Sequence, residues 1–196
     1  MNPAPPRRRD RPRLPAAVRR RQILDVTTRL IAERGFWGLS MQDVADDCGL
    51  TVPGLLHHVG TKDKLLVAVL EHRDDQDHRS LAEALGRPAG EVPLPEICDA
   101  LVRRNAAQPE IVRLFAVLEA ESLAPGHPAH DYFARRQQTT ITTMTGLARA
   151  YGVPDPETLA RQVMALMDGL QIQWLRDPGG IDLVATWTAA AGTLFR

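Results

Sequence analysis

The chain has few of the residues that stabilise small secreted proteins or anchor membrane proteins. Only two of its 196 residues are cysteines, Cys48 and Cys98, and their spacing fits neither a disulfide framework nor a zinc motif. Aromatic residues make up 5% of the sequence. No apolar run reaches the roughly 18 residues of a transmembrane helix, and the N-terminus lacks the apolar stretch of a secretory signal. We therefore expect a soluble, cytoplasmic protein whose two cysteines fill its core.

The chain also lacks the motifs of common enzyme classes. It contains no G-x-S-x-G nucleophile turn, no phosphate-binding P-loop and no glycine-rich dinucleotide loop. His127 and His130 form a His-x-x-His pair without a third ligand, so we expect them to cap a helix rather than to bind a metal. We predict no catalytic residue, no metal site and no cofactor.

What is present is a series of amphipathic helices. Apolar residues, 44% of the chain, recur at three- and four-residue intervals, and no alternating strand pattern occurs. Proline and glycine separate the series into nine predicted helices, so we expect an all-α protein. The predicted segments are 15–34, 40–49, 52–59, 62–85, 94–107, 109–123, 128–151, 156–175 and 181–195.

Residues 39–66 have the pattern of a helix-turn-helix, a motif that places one helix in the major groove of DNA. Ser40 is positioned to cap a short helix, and Gly49 can adopt the left-handed conformation that ends it. Thr51 is positioned to cap the next helix, and Pro53 stands in its first turn, where a missing N–H costs nothing. The second helix of the motif is therefore the predicted recognition helix.

This segment resembles the TetR family of transcriptional regulators. The resemblance rests on a first helix and a glycine turn followed by "VA…GLT…HH…TKDKLL", and it covers residues 19–70. The chain departs from the usual family pattern at Pro53, where glycine is common, and around His58, where an aromatic pair is usual. The resemblance implies a homodimer that binds operator DNA through an N-terminal head and an inducer through a helical body.

Charge is distributed unevenly along a chain whose formal net charge is zero. The first 21 residues hold eight arginines and a single acidic residue, Asp10, together with several prolines. We expect residues 1–14 to form a basic, disordered arm that contacts DNA phosphates, with a solubilising tail as the alternative. Residues 15–61 would then form the helix-turn-helix head, and residues 62–196 the ligand-binding and dimerisation body.

The candidate DNA-binding residues lie on or beside the predicted recognition helix. Lys62 begins the following long helix, where the helix dipole also attracts a phosphate. Val52 and Pro53 can contact a thymine methyl group, while His57 faces the groove and His58 the helix junction. The predicted DNA-binding set is Ser40, Gln42, Thr51, Val52, Pro53, Gly54, His57, His58 and Lys62.

The last two predicted helices carry apolar or small residues on more than one side, so each needs more than one packing partner. We predict that they form a four-helix homodimer interface through Ala165, Gly169, Ile172, Val184, Trp187, Ala191 and Leu194. Asp168 is a carboxylate among apolar neighbours, which indicates a ligand pocket or a buried helix contact. The predicted pocket residues are Phe115, Met144, Met164, Met167, Asp168, Gln171 and Trp174, for which ordinary core packing is the alternative.

The favoured interpretation is a ligand-responsive transcriptional regulator, a repressor that binds a palindromic operator as a homodimer. Its expected partners are double-stranded DNA, a small-molecule inducer and a second copy of the chain, with no membrane. A helical RNA-binding or architectural protein with a basic arm stays open as an alternative. A small-molecule enzyme is the least favoured class because every acid or base has an ordinary explanation on a helix surface.

Overall fold

A computed structural model of the protein describes residues 14–195, which form nine α-helices and no strand. The helices are α1 (Ala16–Gly38), α2 (Met41–Cys48), α3 (Val52–Val59), α4 (Lys62–Leu85), α5 (Leu94–Ala106), α6 (Pro109–Glu121), α7 (His130–Tyr151), α8 (Pro156–Arg176) and α9 (Leu183–Leu194). A short 3-10 helix, Ala89–Glu91, joins α4 to α5. The all-α prediction is confirmed. Except for Leu14, the predicted basic arm lies outside the described residues.

The helix-turn-helix forms because its local signals agree with one another. The Ser40 hydroxyl accepts a hydrogen bond from the Asp43 N–H at 3.0 Å, and the Thr51 hydroxyl accepts one from the Gly54 N–H at 3.2 Å. Gly49 ends α2 with a φ of 65°, in the left-handed region that favours glycine. These two caps and one turn therefore set where α2 ends and where α3 begins.

The first helix continues past the residue at which the sequence pattern predicted its end. Gly35 has a φ of 72° and a ψ of 166°, so it breaks the regular helix, but a further helical turn extends α1 to Gly38. This break turns the chain so that Phe36 is buried in the joint of the head, together with Leu39. The glycine is therefore a kink inside α1 and not its end.

The helices enclose two apolar cores. The first joins α1, α2, α3 and the N-terminal half of α4 to Leu114 and Leu118 of α6 and to Tyr132 and Phe133 of α7. The second is formed by α5, α8, α9 and the C-terminal half of α7. The first core therefore includes residues of both the head and the body. Among residues 14–195, no helix is long and apolar enough to cross a bilayer.

Candidate functional site

The exposed face of α3 is the candidate surface for reading DNA bases. Leu55 and Val59 are buried, whereas Pro53, Leu56 and His57 face solvent at positions i, i+3 and i+4. Leu56 is 39% exposed, so it is available for an apolar contact on this face. The sequence-based set omitted Leu56, although its spacing from Pro53 was the signal that places both residues on one face.

Val52, which was predicted to contact a base, is only partly exposed and packs against the first core. Of the two histidines, His57 is exposed and His58 is half-buried. Their rings are 5.7 Å apart in an edge-to-face arrangement. The exposed face of α3 therefore presents one imidazole, that of His57, beside two apolar side chains, those of Pro53 and Leu56.

The remaining residues of the predicted DNA-binding set surround α3. Ser40 and Gln42 are exposed at the start of α2, where the Gln42 amide donates to Asp46 Oδ1 at 2.8 Å. A Cβ atom at Gly54 would stand 3.2 Å from the Thr51 hydroxyl oxygen. Glycine therefore suits this position because it leaves room for the capping hydroxyl.

Lys62 occupies the first turn of α4, beside the head. Its Nζ atom lies 4.6 Å from the centroid of the buried Phe36 ring, a cation–π contact. The ammonium group is thus held at the N-terminus of α4, where unpaired N–H groups also favour an anion. The arrangement presents a positive charge next to the recognition helix.

Four of the five arginines of α1 fall into two groups. Arg29 pairs with Asp47 at 2.5 Å and Arg34 with Asp43 at 3.3 Å, so both help to hold α1 against α2. Arg20 and Arg21 are exposed and form no ion pair with any residue in 14–195. They lie on the first turns of α1, so they extend the positive charge of the arm into the head.

The predicted ligand-pocket residues do not surround one cavity. Met144, Met167 and Trp174 are buried in the second core, with Met164 at its edge. Phe115 instead packs against the first core, and its ring centroid lies 6.2 Å from that of Phe133. These five residues therefore have packing roles in two separate cores.

Gln171, another predicted pocket residue, joins α8 to α5. Its Oε1 accepts a hydrogen bond from Asn105 Nδ2 at 2.7 Å, and its Nε2 donates to the Met167 carbonyl at 3.1 Å. Both polar ends of the side chain are therefore occupied within the subunit.

Asp168 is the predicted pocket residue with the most unusual electrostatics. Its side chain is open to solvent, yet the surrounding helices desolvate the carboxylate and, with the charge of Glu119, raise its pKa to about 6. Arg136 opposes this effect. The Arg136 guanidinium lies 5.0 Å from the Phe115 ring and donates to Asp74 at 3.1 Å.

The hydroxyl of Tyr132 donates to the other oxygen of the same Asp74 carboxylate. Burial and this contact raise the pKa of Tyr132 well above its ordinary value. The polar cluster around Asp168 thus combines side chains of α4, α6, α7 and α8. Sequence reasoning found only Asp168 because its polar neighbours belong to three other helices.

The surface of α8 carries the predicted small-residue strip, since Ala165, Gly169 and Ile172 are all exposed. The prediction for α9 is wrong in its orientation. Trp187 is 1% exposed and its indole N–H donates to Asp99 Oδ1 of α5 at 2.7 Å, and Ala191 is also buried.

Val184 and Leu194 are half-buried and pack against the same second core. The large apolar residues of α9 therefore face α5 and α8 of their own subunit. The exposed side of α9 is instead composed of small residues, namely Ala185, Thr188, Ala189 and Gly192.

His127 and His130 make separate local contacts. His127 Nδ1 accepts a hydrogen bond from the Ala129 N–H at 3.2 Å, and His130 Nδ1 donates to the Ser122 carbonyl at 2.8 Å. The two imidazoles therefore stabilise the turn that leads into α7.

Residues 23–69 match the sequence profile of bacterial regulatory proteins of the tetR family. The chain is 25% identical over 166 residues to the HTH-type transcriptional regulator PksA of Bacillus subtilis, with 82% of this chain and 80% of PksA covered. It is 28% identical over 168 residues to the HTH-type transcriptional regulator BetI of Rhizobium meliloti, with 80% and 77% covered. These relatives are transcriptional regulators and not enzymes.

Solved structures share the arrangement of the nine helices. A TetR-family regulator from Rhodococcus sp. has a TM-score of 0.74 at 24% identity, covering 92% of this chain and 100% of its own. AibR, solved in complex with isovaleryl coenzyme A and operator DNA, has a TM-score of 0.62 at 23% identity, covering 90% and 96%. These similarities establish the same all-helical fold for this chain.

Proposed function

We propose that this chain, whose residues 23–69 match the tetR family profile, is a TetR-family repressor that binds a palindromic operator as a homodimer. A ligand bound in the helical body changes the affinity for DNA. The observation that carries the proposal is the capped helix-turn-helix, which presents Pro53, Leu56 and His57 on one exposed face beside the Lys62 ammonium. A protein with this role works where the chromosome is, in the cytoplasm.

Contacts with phosphates and contacts with bases come from different parts of the head. Lys62 at the start of α4 and the exposed Arg20 and Arg21 of α1 supply positive charge, which contributes affinity for any duplex. The exposed face of α3 has no arginine or asparagine that can contact a base in a bidentate manner. Base preference therefore depends on His57, on apolar contacts with thymine methyl groups, on Gln42 and on DNA shape.

The dimer interface is proposed to form from the exposed small residues of α8 and α9. Glycine and alanine allow two helices to approach closely. A Cβ atom added at Gly169 or Gly192 would meet nothing within 4 Å in the same subunit, so neither glycine is required by packing inside the chain. This supports a close contact with a second copy, which would bury Ala165, Ile172 and Ala189.

A binding-site selection with the purified full chain tests the proposal. We expect it to return a palindrome whose half-sites are about one helical turn apart, roughly 34–36 Å, and binding that weakens as salt increases. Single-stranded RNA of similar length and a scrambled duplex are the controls. Equal affinity for RNA and for the selected duplex would favour the RNA-binding alternative and contradict the operator proposal.

A further inference from the structure

A polar recess with a volume of 290 Å³ opens between the second half of α4 and the turn that joins α5 to α6. Its inner wall consists of the half-buried residues Arg73, Gln76, Asp77 and Gln108, and its rim of exposed residues from the last turns of α4. None of the residues in the predicted pocket set lines this recess. Its lining residues belong neither to the predicted DNA-binding set nor to the proposed dimer interface.

Two guanidinium groups share a single carboxylate at the inner wall. Arg73 of the wall and Arg104, which does not line the recess, lie 3.4 Å and 3.8 Å from the carboxylate oxygens of Asp77. Both distances are long for a charge-assisted hydrogen bond. The Nε atoms of both arginines are buried and have no hydrogen-bond partner among the described residues. Burial lowers the pKa of Arg104. The positive charges of Arg136 and Arg73 lower this pKa further, whereas the negative charge of Asp77 raises it.

The other acceptors that hold Arg73 are neutral. Its guanidinium donates to Gln76 Oε1 at 2.6 Å and to Gln108 Oε1 at 3.0 Å. An anionic oxygen is a stronger acceptor than an amide oxygen, and a planar guanidinium matches a carboxylate or phosphate group in a bidentate manner. At the rim, the opposite charges of Arg79 and Glu83 offset one another. The charge that the recess attracts therefore depends on Arg73, Asp77 and the neighbouring Arg104.

We propose that this recess binds the effector through a carboxylate or phosphate group, which takes the place of an amide oxygen as an acceptor for Arg73. The binding site itself is independent of the proposed function, whereas its effect on DNA affinity rests on it. The recess holds the charged group of the effector, and a larger ligand extends past the rim into solvent.

Hydrogen bonds connect the recess to the DNA-binding head. The Gln76 amide that accepts from Arg73 donates through its Nε2 to His72 Nε2 at 2.9 Å. The same His72 nitrogen lies 3.3 Å from Asp25 Oδ1 on α1. A single ring nitrogen either accepts or donates a hydrogen bond, so His72 Nε2 cannot bond to Gln76 and to Asp25 at the same time. When the Arg73 guanidinium donates to a bound anion, its hydrogen bond to Gln76 breaks and Gln76 can move away from His72. His72 can then donate to Asp25, which changes the contact between α4 and the head.

Titration of the full chain with inorganic phosphate or with isovalerate, at constant ionic strength and with chloride as the reference, tests the site by calorimetry. We expect saturable binding of phosphate, of isovalerate or of both, which distinguishes the two anion classes. Arg73→Gln should weaken binding about tenfold or more, since it removes a charged donor. Arg161→Gln is the matched control, because Arg161 is exposed on α8 and pairs with Glu157 of the same helix.

Gln108→Glu tests the same site without removing a buried charge. It places a carboxylate next to Arg73, so it should stabilise the fold and prevent anion binding. Binding in both variants equal to that of the unchanged protein would overturn the proposal, and so would the absence of saturable binding by either probe.

The effect on DNA is measured separately by fluorescence anisotropy with the selected operator. A bound anion should lower operator affinity about fivefold or more, within the usual range of coupling between sites. Asp25→Ala should keep anion binding and abolish this effect, because alanine offers His72 no acceptor. Anion binding with no change in operator affinity would contradict the connection to the head. The calorimetric titration contains no DNA, so it decides the site even if operator binding, and with it the proposed function, fails.

Discussion

Lys62 combines two roles in one side chain. Its stem and ammonium pack over the buried Phe36 ring, which links the start of α4 to the core of the head. The same position at a helix N-terminus favours a bound phosphate. The cation–π contact therefore holds the charge in place before DNA arrives, which reduces the entropy cost of binding a phosphate.

Lys62→Ala should weaken binding to operator and to random duplex alike, because phosphate contacts carry no sequence information. The slope of log affinity against log salt should fall by about 0.9 for each DNA phosphate that the protein no longer neutralises. Lys64→Ala, two residues along α4 and fully on the surface, is the control and should leave the slope unchanged. A Lys62→Ala protein with the original salt slope would show that Lys62 only packs on Phe36.

Asp168 should make stability depend on pH in a direction opposite to that of most carboxylates. Its pKa is raised from 3.8 to about 6, chiefly by desolvation, so the folded state favours the protonated form. The protonated carboxyl group of Asp168 therefore contributes fully to the free energy of unfolding below its ordinary pKa of 3.8. This contribution is lost as the pH rises through about 6, the pKa in the folded state. Asp168→Asn should therefore increase the free energy of unfolding at neutral pH by about 1 kcal/mol, since solvent access screens the effect.

Chemical denaturation across the acidic and neutral range is the measurement. The increase in the free energy of unfolding caused by Asp168→Asn should disappear at the acidic end of this pH range. Asp155 provides a control of opposite sign, because hydrogen bonds from Thr158 hold the pKa of its capping carboxylate below the ordinary value. A constant difference between Asp168→Asn and the unchanged protein at every pH would mean that Asp168 does not titrate as described.

At the scale of the helix, α3 separates residues that hold the head together from residues that are exposed to solvent. Val52, Leu55 and Val59 lie on the core side, while Leu56 and His57 lie on the exposed side. A helix in the major groove reads bases only with the side that it exposes. The structure therefore favours Leu56 over Val52 as the apolar contact for a thymine methyl group.

We expect Leu56→Ala and His57→Ala each to change base preference at one symmetric pair of operator positions, by about 1–3 kcal/mol. Val52→Ala should leave the preferences unchanged and lower the free energy of unfolding by about 1 kcal/mol, since it removes packing at the core edge. Site selection with the three variants, beside thermal unfolding, distinguishes these effects. Altered preference only in Val52→Ala would mean that α3 is rotated in the groove relative to this assignment.

At the scale of the whole molecule, the two cores and the small-residue faces determine how two heads are held apart. The first core extends from α1 to α7, so each head is packed against its own body. The distance between two heads then depends on how the bodies associate. The proposed dimerisation through α8 and α9 would keep both recognition helices on one face of the DNA.

Gly169→Arg places a long charged side chain in the proposed interface, and we expect a folded monomer that has lost tight palindrome binding. Gly146→Arg is a closely matched control, since Gly146 also lies exposed inside a long helix and a Cβ there also meets nothing within 4 Å. Analytical ultracentrifugation and circular dichroism measure association and folding. An operator-binding dimer in the Gly169→Arg protein would place the interface elsewhere.

The basic arm is expected to add affinity without adding specificity. Deleting residues 1–13 removes five arginines, so operator and random DNA should both be bound more weakly. The salt slope should again fall by about 0.9 for every phosphate that the arm neutralises, with the selected operator sequence unchanged. Arg20 and Arg21 remain in the truncated protein, and their positive charge should limit the decrease in DNA affinity. An unchanged salt slope would identify the arm as a solubilising tail.

Most of the fold and the location of the DNA-binding helix could be predicted from the sequence, because the signals involved are local. A cap, a left-handed glycine and a proline in a first turn act within a few residues, so Ser40, Gly49 and Pro53 predicted α2 and α3 closely. The kink at Gly35 was predicted as an end of the helix. Glycine breaks a helix locally, but whether the chain resumes it depends on the packing of Phe36.

The sequence by itself determined that the chain is all-α, that it carries a helix-turn-helix and that its last two helices need more than one partner. Only the tertiary structure decided which side of α9 remains exposed, because the indole of Trp187 finds its acceptor, Asp99, on the distant helix α5. The same holds for the polar clusters around Asp168 and Arg73. Their members come from helices far apart in the chain, and the spacing of residues along one helix carries no information about which other helix will face it.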